Sequence, residues 1–139
     1  MVSKFTNYGF NSYAVINGKA VAGSASGLFL LEGDTDNGTP IIATVTTPAL
    51  NFGTYLPKKL RGFRIGGRFD GDVTITADNG TSQWPVTLSM LNDMKAGYKT
   101  GYFTHPTRGE YLTFTVTNPG GEAFMLDEVS LYMMILERR

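Results

Sequence analysis

The sequence contains no cysteine and a single histidine, His105. Without thiols the chain cannot form a disulfide, a thiolate zinc site or a cysteine nucleophile. No apolar run approaches the roughly 20 residues of a membrane helix, and residues 1–7 lack the continuous apolar segment of a secretion signal. We therefore expect a protein that is made in the cytoplasm and is not inserted into a membrane.

Net charge is also absent, because 12 basic residues balance 12 acidic ones. A neutral chain has no overall field that would attract nucleic acid, so we do not expect a nucleic-acid partner. At 139 residues, 42% of them hydrophobic, the chain can bury a core without metals or cofactors. The sequence predicts one domain over residues 1–139, with a short N-terminal arm at about residues 1–10.

Short strands are predicted because 17 glycines and 6 prolines separate segments rich in Val, Ile, Thr, Phe and Tyr. The pair Asn17-Gly18 lies between apolar runs and favours a type I′ hairpin. Residues 72–78 and 111–117 alternate apolar residues with threonines, as half-buried antiparallel strands do. Residues 88–95 are too short and polar for a helix and are interpreted as a loop or single turn. The other predicted strands are 28–31, 41–46, 59–69, 83–89 and 124–136.

These patterns predict an all-β fold, an antiparallel β-sandwich. Alternating apolar positions should point inwards between its two sheets. The predicted core includes Val15, Leu30, Phe63, Ile65, Val73, Ile75, Leu112, Phe114, Val116, Val129 and Leu131.

Catalytic and metal-binding patterns are weak. Asp34, Asp36, Asn37 and Gly38 partly match a calcium loop, but the spacing is one residue short and a turn explains the same residues. His105 lies in a stretch that is interpreted as a surface loop, with no apparent partner for acid–base chemistry. We expect no enzyme activity, no cofactor and no bound metal.

A basic cluster spans residues 58–68 without an acidic residue. Strict alternation along a strand would split it, with Arg64 and Arg68 on one face and Arg61 on the other. A solvated strand face, ion pairs with acidic neighbours in an assembly, and polyanion binding remain alternatives. The cluster consists of Lys58, Lys59, Arg61, Arg64 and Arg68.

Aromatic residues offer a second candidate site, since aromatic rings stack on sugar rings. Trp84, Tyr98 and Tyr102, with Tyr111, could form a carbohydrate platform, or they could fill the core instead. Pro85 indicates an edge strand or a bulge, because proline cannot donate to a strand ladder.

The last strand is apolar on both faces from residue 131 onward. One interpretation is a central strand that is buried on both sides within its own domain. The other is a contact with a neighbouring subunit. The candidate contact residues are Tyr132, Met134, Leu136, Arg138 and Arg139.

Several blocks, in order along the chain, resemble a family of virion proteins of tailed bacteriophages. Leu50-Asn51-Phe52-Gly53 followed by Lys58-Lys59-Leu60 is similar to the family's L-D-F-G and K-L-K/R segments. The end of the chain is similar to its closing F-E-L-D-S-I-E-L and L-S-R-R. The matching blocks are residues 10–14, 27–36, 38–41, 50–53, 58–60, 124–131 and 136–139.

The resemblance implies a non-enzymatic structural subunit of the virion, in the tail or baseplate, that forms a homo-oligomer and contacts other virion proteins. A capsid decoration protein or a module that binds a host glycan is the alternative. Residues 124–131 are also similar to the last strand of galactose-binding-like jelly rolls, which implies a sandwich of that type without implying sugar binding.

Overall fold

A computed structural model describes residues 9–33, 35–36, 38–89 and 93–137. This part of the chain is all-β with antiparallel sheets, as the sequence predicts. It forms no helix, and so none with the length and hydropathy needed to cross a membrane. The chain divides into two compact units, Met1–Gly33 and Asp34–Arg139.

The first unit is a three-stranded sheet of β1 (Ser12–Ile16), β2 (Lys19–Ser24) and β3 (Gly27–Leu30), paired in that order. Ile16 pairs with Lys19, so the connection between β1 and β2 has two residues. Their φ angles are +52° at Asn17 and +77° at Gly18. Positive φ at both central positions is the signature of a type I′ turn, so the predicted hairpin is confirmed.

In this unit, the prediction that two residues belong to the core is wrong. Val15 is 74% exposed and Leu30 is 48% exposed. Alternation predicts which side chains share a face but not whether a second layer covers that face. Among the described residues of this unit there is no second sheet to do so.

The described residues of the second unit form nine strands. A small hairpin joins β4 (Thr35–Asp36) to β5 (Thr39–Pro40). The other strands form two sheets, one in the order β10-β7-β12 and one in the order β6-β11-β8-β9. Their bounds are β6 (Thr44–Thr46), β7 (Lys58–Phe69), β8 (Val73–Asp78), β9 (Gln83–Leu88), β10 (Asp93–Gly109), β11 (Thr113–Thr117) and β12 (Phe124–Ile135).

A shared core lies between these two sheets and gives the unit a sandwich-like architecture. Phe63 and Ile65 of β7 meet Ile75 of β8 and Phe114 of β11, all almost completely buried. Val129 and Leu131 of β12 are partly buried and pack against them. Seven predicted core residues are therefore confirmed as buried, namely Phe63, Ile65, Val73, Ile75, Leu112, Phe114 and Val116.

The longest strand, β10, was not predicted from the sequence. His105 lies in this strand rather than in a loop. The pairing of β10 with β7 shifts between Tyr102 and Thr107, so His105 falls within an irregular segment of the strand. The strand also includes Asp93–Lys95, which the sequence pattern placed in a loop or turn, and Asp93 pairs with Phe69.

Candidate assembly surface

An extra residue in β7 decides where the basic side chains point. Tyr132 of β12 pairs with Gly62 and Met133 pairs with Leu60, so Arg61 has no opposite residue in that strand. An extra residue of this kind shifts the alternation by one position. Leu60 and Phe63 are therefore both buried while Arg61 is exposed.

The prediction that Arg61 lies on the opposite face from Arg64 and Arg68 is therefore wrong. All three arginines are exposed, whereas Phe63, Ile65 and Phe69 are buried. Their neighbours on β10 and β12 are exposed tyrosines and methionines. We call this surface the arginine–tyrosine face and define it by Arg61, Arg64, Arg68, Tyr98, Tyr102, Met125, Tyr132 and Met134.

Two glycines of β7 make room for tyrosines on this face. A Cβ atom on Gly66 would lie 2.5 Å from the Tyr98 ring. One on Gly62 would lie 2.5 Å from the backbone oxygen of Gly101 and 3.1 Å from Cδ1 of Tyr102. A cross-strand aromatic ring over a glycine replaces the packing that the missing side chain would supply. The rings thus cover backbone at their base, yet Tyr102 remains 67% exposed.

Two arginines contact neighbouring side chains rather than carboxylates. The guanidinium carbon of Arg64 lies 3.9 Å from the centre of the Tyr98 ring. Nε of Arg61 donates to Sδ of Met134 at 3.3 Å. An exposed cation–π contact contributes only about 0.5–1 kcal/mol. These contacts orient the side chains but do not pair either guanidinium group with an opposite charge.

Among the described residues, the one ion pair is Lys19–Glu32 in the first unit. No described carboxylate therefore lies within 4 Å of the arginines on this face. Exposed tyrosine, methionine and arginine are the residue types enriched at protein interfaces. Tyrosine and arginine are also prominent among the residues that dominate binding energy. The surface is therefore suited to contact with another protein.

Lys58 has a different role from the rest of the basic cluster. Its side chain is completely buried. Nζ donates to the backbone carbonyl of Glu110 at 2.7 Å and to that of Thr54. A buried cation needs such acceptors. Lys58 thus belongs to the interior, whereas Lys59 is half-buried on the outer side.

The predicted sugar platform is not brought together as a whole. Tyr98 and Tyr102 lie four residues apart on the outer face of one sheet. Trp84 lies on β9 of the other sheet and packs against the core. Tyr111 meets Tyr55 in an edge-to-face contact with ring centres 6.4 Å apart. The prediction that Pro85 lies in an edge strand is confirmed, because β9 ends its sheet.

The candidate contact on β12 lies at one edge of the sheet that the described residues form. β12 pairs with β7 on one side and is the last strand of its sheet, so the interpretation as a central strand is wrong. Tyr132 is 44% and Met134 45% exposed. Leu136 is half-buried, and its backbone N–H donates to the carbonyl of Pro57 at 2.8 Å. Arg138 and Arg139 lie outside the described residues.

The metal candidate gains no support from geometry. Gly38 has a φ of +82° in the turn between β4 and β5, as the turn interpretation requires. Asp34 and Asn37 lie outside the described residues, as does the side chain of Asp36. The described side chains include no group of three acidic or histidine residues that could hold a metal ion.

Two residues on this side of the sheet were not singled out from the sequence. Met125 pairs with Arg68 and is 54% exposed, and Arg108 pairs with Lys59 and is exposed. Met125 could have been found, because it occupies the solvent-facing position of an alternating strand. Arg108 could not, because its strand was not predicted.

Comparison with known proteins gives the chain no family. None of the protein-family models matches it, and no curated protein matches its sequence.

Proposed function

We propose that the protein is a non-enzymatic structural subunit of a tailed-phage virion, and that it assembles in multiple copies through the arginine–tyrosine face. The observation that carries the assembly role is this face, where exposed tyrosines and methionines surround arginines that have no carboxylate partner among the described residues. The virion assignment, with a place in the tail or baseplate, rests on the sequence resemblance. A jelly-roll type of sandwich rests on the same kind of resemblance.

Burial of this face against another subunit would supply the binding energy. A fully buried large apolar side chain contributes about 1.5–3 kcal/mol. Tyr132 and Met134 are 44% and 45% exposed in the free chain. This exposed area is what a partner could bury. Since each 1.4 kcal/mol corresponds to about a tenfold change in affinity, the loss of both contacts is a measurable effect.

The test is a pair of double variants measured by sedimentation velocity. Tyr132→Asp with Met134→Asp places two charges on the arginine–tyrosine face, and we expect assembly to weaken by about 100-fold or more. Thr46→Asp with Thr87→Asp adds the same charges to exposed positions on the other sheet and should leave assembly unchanged. Circular dichroism verifies that each variant is folded. If both double variants assembled to the same extent, the proposed role of the arginine–tyrosine face would be contradicted.

The place in the virion has its own test. In particles produced from the genome that encodes the chain, mass spectrometry should detect it in multiple copies, and electron microscopy should locate it in the tail or baseplate. Particles that lack the chain would contradict the assignment.

Carbohydrate binding is the second candidate, favoured by the exposed pair Tyr98 and Tyr102. In that case the particle would use the face to adhere to a host glycan. Specific binding on a glycan array that is lost in Tyr102→Ala would favour this role. Trp84→Ala is not a suitable probe, because Trp84 packs against the core and its removal would lower stability.

A further inference from the structure

Charge is unevenly distributed along the sheet β10-β7-β12. In the half that contains residues 58–65 of β7, the paired segments are residues 99–109 of β10 and 129–135 of β12. None of these segments contains an acidic residue, although the exposed Glu110 and Glu137 lie just beyond the ends of β10 and β12. The basic residues of these segments are the buried Lys58 and, on the outside, Lys59, Arg61, Arg64, Lys99 and Arg108.

The opposite half is acidic. Asp127 and Glu128 of β12 are exposed here, beside Gly66 and Gly67 of β7. At the end of β7, Asp70 and Asp72 flank Gly71, and a Cβ atom on Gly71 would lie 2.4 Å from the carboxyl carbon of Glu122. The basic residues of this half are Arg68 and Lys95. The sheet thus has a basic end and an acidic end, although the whole chain is neutral.

One edge of the described sheets of this unit is suited to pairing with another strand. β6 is only three residues long, β9 contains Pro85, and β10 contains Pro106 within its irregular segment. Short length, proline and irregularity all protect an edge from further pairing. β12 has its own extra residue at Asp127, while the second shift in its pairing, between Tyr132 and Met133, comes from the extra residue Arg61 in β7. From Glu128 to Ile135, β12 itself therefore has no extra residue and contains no proline. No strand among the described residues pairs with its outer side.

We propose that two copies of the chain pair antiparallel along their β12 edges. This inference rests on the proposed assembly role and names the first partner as a second copy. In an antiparallel pair, the acidic half of each copy lies beside the basic half of the other, so the favourable charge contact occurs twice at one symmetric interface. A copy of the chain supplies both signs at the matching positions, which an unrelated acidic protein would not. The arginine–tyrosine faces of the two copies then form one continuous surface across the paired β12 strands.

Charge-reversed variants test this arrangement. In variant A, Lys59→Glu and Arg61→Glu make the basic half acidic; in variant B, Asp127→Lys and Glu128→Lys make the acidic half basic. Each variant alone would oppose like charges, so we expect its dimer to be at least 100-fold weaker than that of the wild type. An equimolar mixture of A and B restores both contacts and should form a 1:1 heterodimer. Sedimentation equilibrium measures all three samples.

Several controls make the outcome decisive. Thr46→Glu with Thr87→Lys changes charge on the other sheet and should dimerise as the wild type does. Two milder double variants remove charge without reversing it: Lys59→Gln with Arg61→Gln, and Asp127→Asn with Glu128→Gln. Each should weaken the dimer by about tenfold. They are less disruptive to the fold, so they control for misfolding of the charge-reversed variants. Higher salt should weaken the wild-type dimer in the same direction.

Failure of this inference is distinguishable from failure of the proposed function. A wild-type dimer with a mixture of A and B that stays monomeric would overturn the antiparallel arrangement. So would a wild-type chain that is monomeric up to high concentration but binds an acidic protein or single-stranded DNA. By contrast, assembly that survives Tyr132→Asp with Met134→Asp would overturn the use of the arginine–tyrosine face itself.

Discussion

The two outer faces of the second unit differ in how their polar groups are satisfied. On the sheet β6-β11-β8-β9, threonines of neighbouring strands lie opposite one another. Oγ1 of Thr74 is 2.8 Å from that of Thr87, and Oγ1 of Thr46 is 3.1 Å from that of Thr115. We call this surface the threonine face and define it by Thr44, Thr46, Thr74, Thr76, Thr87, Thr115 and Thr117.

The arginine–tyrosine face also lies on an antiparallel sheet but differs in its chemistry. Threonine hydroxyls bond to each other and to water, and their small side chains expose little apolar area. Tyrosines and methionines expose large apolar areas beside guanidinium groups that have no carboxylate partner in the described residues. This contrast is the reason why the proposed contact with a partner is assigned to the arginine–tyrosine face and not to the threonine face.

The largest effect on the free energy of unfolding is expected where the outer face meets the interior. Lys58→Met would remove a buried cation that donates to the carbonyls of Thr54 and Glu110, and leave both acceptors without it. We expect a loss of about 2–4 kcal/mol in the free energy of unfolding. Urea denaturation measures this value.

Lys59→Met is the matched control, because the neighbouring side chain is half-buried on the outer side. It should change the free energy of unfolding by less than about 0.5 kcal/mol. Equal losses at both positions would contradict the distinction between an interior lysine and a surface lysine.

A smaller effect is expected on the threonine face. Thr74→Val with Thr87→Val removes the hydrogen bond between the two hydroxyls but keeps two residues that favour strands. The cost should stay below about 1 kcal/mol, and assembly should be unaffected. Thermal unfolding and sedimentation velocity measure the two quantities. Loss of assembly in this variant would show that the threonine face also contacts a partner.

The smallest effect is expected on the stability of the fold at acid pH, through Asp78 at the end of β8 in the same sheet. The amide of Gln83 donates to Asp78 at 2.8 Å, and the backbone N–H of Gly80 also donates to it, which lowers the pKa of that carboxyl below its ordinary value of 3.8. A pKa that is lower in the folded state gives stability that is present above the unfolded value and is lost as the pH falls through the folded value. Asp78→Asn should therefore flatten the pH dependence of stability in the acid range, as chemical denaturation between pH 2 and about pH 5 would reveal. An unchanged acid profile would contradict this role for Asp78.

Local patterns predicted much of the fold. Asn17-Gly18 requires only turn chemistry, and both positive φ angles are present. Strands β8 and β11 follow from alternation, because their apolar positions meet the core on one side and their threonines face water on the other. The sequence predicted these elements because the forces that form them act within a few residues.

Strand β10 could not be predicted, because its reasons lie in other parts of the chain. It contains three glycines and Pro106, which weaken any local preference for a strand. A Cβ atom on Gly101 would lie 2.4 Å from the ring of Phe63, so the glycine is required by the core rather than by a turn. The missed strand also concealed that Tyr98 and Tyr102 lie beside the arginines.

The candidate surface was predicted only in part for a similar reason. The sequence identified the basic cluster and the apolar outer side of β12 separately. The extra residue at Arg61, which brings them onto one face, depends on the pairing of β7 with β12, a strand far away in the sequence. A strict two-residue period therefore assigned Arg61 to the wrong face, and it could not identify Lys58 as an interior residue.

Hydroxyl-radical footprinting of the assembled and the dissociated protein tests the central claim most directly, because it reports on tyrosine and methionine side chains in the unmodified chain. The account predicts that Tyr132 and Met134 lose reactivity on assembly, while Tyr55, which is 72% exposed and lies outside the arginine–tyrosine face, keeps it. Unchanged reactivity at Tyr132 and Met134 in an assembly that protects Tyr55 would contradict the account.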